Sequence, residues 1–112
     1  MSDVIDLAHL ARYTGGEKAM NAEILKLFDG QIGEMVGQLR SVIAARDSKR
    51  WKEITHTIKG AARGVGAFAF GEAAAAAEPV DPANSERATL AVSRLSEEAM
   101  AVHDFIRQYL AA

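Results

Sequence analysis

The sequence predicts an all-α domain, an antiparallel four-helix bundle with a short N-terminal capping helix. Apolar residues recur at three- and four-residue spacing through several long segments, the period of helix faces turned toward a common core. No stretch shows sustained apolar-polar alternation bounded by hairpin turn residues, so no strand is supported. The two prolines, Pro79 and Pro82, fall in one short segment, which leaves the rest of the chain free to be helical. At 112 residues the chain reads as a single domain, 1–112, with room for one modest site and none for a separate cofactor domain.

The first helix is expected over residues 3–12, with Val4, Leu7, Ala8 and Ala11 on one face, until Thr14-Gly15-Gly16 breaks it. A long second helix follows over 17–46, its apolar stripe made of Met20, Ile24, Leu27, Phe28, Met35, Leu39 and Val42. Beside that stripe Leu25, Ile32, Val36 and Ile43 form a second apolar shoulder, which the first helix is expected to cover unless it is left open for a partner. Gly30, Gly33 and Gly37 lie on the far side, each costing about 1 kcal/mol of helix propensity relative to alanine. Asp47-Ser48 supplies a turn and an N-cap for a third helix that turns Trp51, Ile54, Ile58, Ala62 and Val65 inward and ends near Gly66. A short alanine-rich fourth helix over 67–78 carries Phe68 and Phe70, and residues 79–85 are the clearest loop. The last helix, 86–109, repeats Ala88, Val92, Leu95, Ala99, Val102, Ile106 and Tyr109 at bundle spacing.

Composition excludes several classes of function. A formal net charge of -2 gives no general attraction to nucleic acid or anionic membrane, so any anion chemistry must rest on local charge. The absence of cysteine removes disulfides, thiolate nucleophiles and sulfur-ligated metals together. Neither a signal peptide nor a membrane span can be read, and a soluble cytoplasmic protein is expected.

Chemistry concentrates on the third helix. At about 100° of rotation per residue, His56 projects half a turn away from the centre of the apolar arc, among Lys49, Lys52, Lys59, Gly60 and Arg63. Gly60, four residues on, adjoins the histidine on the helix surface and leaves a notch that Gly64 extends by another turn. Capping does not explain Gly60, because Ala61, Ala62 and Val65 continue the helical pattern beyond it. Other chemistries find no support. No pair of carboxylates is singled out for glycoside hydrolysis, and no nucleophile elbow is present. Glu53 and His56 have the Glu-x-x-His spacing of di-iron bundles, but neither His9 nor His103 supplies the second such motif, so no metal site is expected. His9 and His103 read as structural residues.

The run His56-Thr-Ile-Lys59-Gly60-Ala61-Ala62 resembles the signature of the histidine-containing phosphotransfer (HPt) domain family: histidine, any residue, an aliphatic, lysine, glycine and two small residues. Helix order and length extend the resemblance loosely over nearly the whole chain. It implies that His56 accepts a phosphoryl group from a receiver-domain aspartate through Nε2 and returns it to another. Lys59 and Arg63 would stabilise the phosphate, while Gly60 and Gly64 would give the receiver steric access. The chain would have no cofactor of its own and no kinase activity, with divalent metal supplied by the receiver. Partners would be receiver domains of a hybrid histidine kinase or of response regulators, and the protein a monomer. Family members often carry alanine where this chain has Thr55, a change expected to matter little at the helix flank. Glu53, one turn before His56, either hydrogen-bonds the ring or is merely solvated, and solvation is favoured.

Candidate docking residues are the shoulder Leu25, Ile32, Val36 and Ile43, together with Phe68. A free-standing phosphorelay intermediate is the leading expectation. The alternatives are the phospho-accepting module of a chemotaxis-type histidine kinase, which would make this chain a fragment, and a non-catalytic helical adaptor that binds receiver domains.

Overall fold

The computed structural model describes residues 3–112, in which α1 (Leu7–Thr14), α2 (Lys18–Ala45), α3 (Ser48–Val65), α4 (Phe68–Ala77) and α5 (Ser85–Ala111) follow one another with no strand between them. Side-chain acceptors set where three of these helices begin. Asp6 accepts from the His9 backbone N–H, Asp47 from that of Arg50 and Asn84 from that of Arg87, each satisfying a donor the helix leaves free. Left-handed glycines end two of them, Gly15 at φ 67° and Gly66 at φ 91°. The expected helix order is therefore observed, with boundaries shifted by a few residues at the first helix.

The four longer helices close into a ring in which α2 packs on α3, α3 on α4, α4 on α5 and α5 back on α2. Trp51, Phe70, Leu25, Leu39, Ile58 and Leu95 are among the side chains buried at its centre. The short cap α1 sits across one end. Ile5 and Leu10 are buried there, and the Asp6 backbone N–H donates to the Gly66 carbonyl at 2.9 Å. A buried polar chain holds the same end: Thr14 Oγ1 donates to Asn21 Oδ1 at 2.6 Å, and Asn21 Nδ2 donates to Tyr109 Oη at 3.2 Å. These bonds give buried polar groups of α1, α2 and α5 partners in place of water.

The face of α2 differs from its expected stripe, and the shoulder is the reason. Leu25, Ile32 and Val36 are buried and Ile43 is partly buried, so this row is core and not an open docking face. Met20 and Leu27, expected inside, are exposed. The buried set Asn21, Leu25, Phe28, Ile32, Val36, Leu39 and Val42 repeats about every 3.5 residues, the spacing of helices that pack side by side along their length. α5 and α3 pack along it and α1 reaches only its first turn: Tyr109 and Thr14 both meet Asn21 near one end, and the His103 ring meets Asp29 further along. Gly30, Gly33 and Gly37 do not interrupt α2, and a Cβ at any of them would touch nothing within 4 Å.

Candidate functional site

α3 presents its two faces as its sequence requires. Trp51, Ile54, Ile58, Ala62 and Val65 are buried, while the His56 side chain, on the opposite side, is 70% exposed. Lys49, Lys52, Arg63, Gly60 and Gly64 are exposed on the same outer surface. A Cβ at Gly60 or Gly64 would meet nothing within 4 Å, so packing inside the chain does not call for either glycine. Each costs about 1 kcal/mol relative to alanine in a helix interior. Open backbone beside His56 is what they supply. Thr55 departs from its expected place at the flank: it is fully buried, and its hydroxyl donates to the Trp51 carbonyl at 2.9 Å.

Sequence reasoning missed Glu78, which comes to the imidazole from the end of α4. Its Oε2 lies 2.9 Å from Lys59 Nζ and 3.4 Å from His56 Nδ1, so one carboxylate oxygen faces both groups. That oxygen is closed off from water, although the Glu78 side chain as a whole is 30% exposed. The contact with Lys59 is a close ion pair. Trp51 fixes the arrangement from beneath. Its indole N–H donates to the Ala77 carbonyl at 2.9 Å, which ties the last turn of α4 to α3 one residue before Glu78. The signal available in the sequence was the hairpin itself. An antiparallel turn at Gly66 brings residues at similar distances on either side together, and Glu78 is the charged residue that closes the alanine run 73–77.

The Lys59 ammonium holds the Glu78 carboxyl below its ordinary 4.5, with His56 adding a smaller pull and partial burial opposing both. A depressed carboxylate pKa contributes stability that is present above the unfolded value and lost as pH falls through the folded one. The window therefore lies below pH 4.5. Glu78→Gln is expected to melt below the wild type at pH 7 by a small margin that closes in strong acid, as parallel thermal melts at pH 7 and pH 3 would read.

The remaining candidate residues separate around this pair. Arg63 runs its stem against α4, where a Cβ at Gly71 would lie 3.2 Å from Arg63 Cγ. Glu53 turns to the other side of His56, into the groove shared with Gln38, Arg50 and Thr57. Phe68 is exposed and packs edge-on against His9 with ring centroids 5.1 Å apart. His9 also meets Tyr13 at 5.8 Å, forming an aromatic cluster on the α1 cap. His103 Nδ1 lies 2.9 Å and 3.0 Å from the two oxygens of Asp29, a pairing that ties α5 to α2. Thus His56, Lys59 and the glycines come together, the shoulder row lies in the core, and Phe68 belongs to a separate surface near the cap.

A family model described as the Hpt domain matches residues 23–111, which includes α3, α4 and α5 and most of α2. No curated protein and no solved structure matches the chain.

Proposed function

The chain belongs to the Hpt domain family, a histidine phosphotransfer module of phosphorelays, and on that premise we propose that His56 carries the phosphoryl group between aspartates of receiver domains. The observation that carries this reading is the exposed imidazole with Nδ1 turned to the Glu78 carboxylate and open glycine backbone beside it. A proton on Nδ1 facing a carboxylate leaves the lone pair on Nε2, the nitrogen that then attacks. Nε2 forms a bond to phosphorus as the bond from phosphorus to the aspartate oxygen breaks, and the aspartate leaves as carboxylate. Such a transfer needs positioning and charge stabilisation more than covalent assistance from protein groups. Lys59 and Arg63 are the cations proposed to meet the phosphoryl oxygens. Divalent metal is proposed to arrive with the receiver, so that docking completes the site. The partners are receiver domains of a hybrid histidine kinase or of response regulators, engaged by a monomer in the cytoplasm. Among the described residues no helix is long and apolar enough to cross a membrane.

Incubation with a receiver domain carrying labelled phosphate is expected to move label onto this chain, in a bond labile to acid and stable to alkali. Receiver binding without any transfer of label would instead favour a helical adaptor, and labelling by a kinase core and ATP without a receiver would favour a kinase module.

The docking face follows from the register of α2 against α3. Arg50 Nη2 donates to Gln38 at 3.2 Å, and Gln31 and Thr57 line one groove. One turn further along this antiparallel pair, Leu27 comes level with the stretch from Gly60 to Gly64. Leu27 is 66% exposed, a large apolar side chain level with open glycine backbone by this register. The stretch from His56 to Gly64 is about 12 Å at 1.5 Å per residue, a span that one docked domain can cover. Leu27 therefore replaces the buried shoulder as the docking residue, with Phe68 and Tyr13 exposed near the Gly66 end. Leu27→Asp is expected to raise the KM for the phosphorylated receiver roughly tenfold, the loss of a well-placed apolar contact. The lifetime of phospho-His56 in the absence of receiver should be unchanged, which rapid-quench transfer assays and a hydrolysis time course would measure.

A further inference from the structure

Glu78 Oε2 faces two groups that both carry positive charge once His56 is phosphorylated. In the present structure the nearer is Lys59, at 2.9 Å, while His56 Nδ1 stands off at 3.4 Å. Oε2 itself is shut off from water, so a cation beside it is favoured over none, although the carboxylate keeps solvent contact elsewhere on a side chain 30% exposed. Lys59 gives up its 2.9 Å contact if it moves to a phosphoryl group on Nε2, and the charged His56 ring is then placed to face the same oxygen. Resting on the reading of His56 as phosphoryl acceptor, we infer that Glu78 exchanges partners during transfer: Lys59 holds it beforehand, the charged ring of phospho-His56 holds it afterwards, and Lys59 is released to the phosphoryl oxygens.

The charges balance at each stage. Beforehand the ring is neutral with its proton on Nδ1, and the Lys59 ammonium neutralises the Glu78 carboxylate. When the Nε2 lone pair is committed to phosphorus, the Nδ1 proton stays and the ring becomes a cation, while the phosphoryl group brings about two negative charges to the Nε2 side. Two cations now face one oxygen, while a new anion has appeared one helical turn from Lys59. The Lys59 ammonium rides on a flexible four-carbon stem one helical turn from His56, whereas the ring is fixed at its Cβ and already faces Oε2 through Nδ1. The mobile cation moves to the phosphate, and the fixed one closes on the carboxylate. Glu78 acts in this exchange as a positioning residue, since it does not touch the reacting nitrogen.

The exchange can be read in nitrogen-resolved NMR spectra of the full chain, labelled at lysine and histidine, before and after phosphorylation by a receiver domain. The Lys59 ammonium signal is expected to shift on phosphorylation. The Nδ1–H of phospho-His56 should exchange with water roughly ten- to a hundredfold more slowly than in phosphorylated Glu78→Gln, as a charge-assisted hydrogen bond implies. An unmoved Lys59 signal, with Nδ1–H exchanging as fast in the wild type as in Glu78→Gln, would overturn the exchange even though phospho-His56 has formed. Absence of phospho-His56 itself would overturn the acceptor reading on which the exchange rests. The Lys59 signal is read in the wild-type chain and does not depend on how the variant folds.

Discussion

His56→Gln is expected to abolish acceptance of a phosphoryl group from a phosphorylated receiver while leaving the bundle folded. Glutamine has no ring nitrogen with a free lone pair, and no neighbour can supply one. Lys59 is paired with Glu78, and the other two histidines are engaged elsewhere, His9 among aromatic rings of the cap and His103 with Asp29. The substitution lies at a side chain 70% exposed and makes no cavity, so its effect on stability should stay within about 0.5 kcal/mol. A transfer assay with labelled receiver and a thermal melt of the same preparation separate the two effects. Residual transfer near the wild-type rate would remove His56 from the mechanism.

Gly66→Ala is expected to give the largest loss of stability. Gly66 holds φ 91°, where a side chain is strained, and its Cβ would lie 2.7 Å from the Asp6 carbonyl oxygen and 3.2 Å from the Asp6 nitrogen. Both obstacles are backbone atoms, so the change cannot be absorbed by turning a flexible side chain. The dihedral strain costs about 1–3 kcal/mol. Displacing α1 would also lose the Asp6 to Gly66 hydrogen bond, about 1 kcal/mol more. A total of roughly 2–4 kcal/mol corresponds to a fall in Tm on the order of 10–20 °C for a domain of this size. The α3–α4 hairpin turns at this residue, so transfer should also slow as Glu78 loses its register with His56. A melt within a few degrees of the wild type would show that the turn relaxes freely.

How much of this was legible in the sequence depended on whether a feature belonged to one helix or to two. α3 is short enough for a 100° wheel to remain accurate, and its wheel correctly separated Trp51 and Ile58 from His56 and Gly60. The caps at Asp47 and Gly66 are local as well, and both were readable. α2 runs for 28 residues, over which a repeat of 3.5 drifts from a straight-helix wheel by about 20° per heptad. The expected stripe fits at Phe28, Leu39 and Val42 but is one residue out at Met20, Ile24 and Met35, where Asn21, Leu25 and Val36 are the buried residues. That slip made the core row Leu25, Ile32 and Val36 look like a spare surface. Glu78 illustrates the second limit, since its meaning lies in a contact across the hairpin and its sequence neighbours are alanines and a proline. Glu53 drew attention by sequence proximity alone, and it turns toward α2.

Long-range correlation of histidine ring nitrogens with phosphorus, in the full chain incubated with a phosphorylated receiver domain and magnesium, tests the central claim most directly. The three histidines, His9, His56 and His103, are resolved from one another by assignment. One phosphorus coupled to Nε2 of His56, with the Nδ1 proton retained and the rings of His9 and His103 unchanged, is the expected result. Phosphorus on either of the other rings, or on Nδ1 of His56, or on no histidine at all, would contradict it.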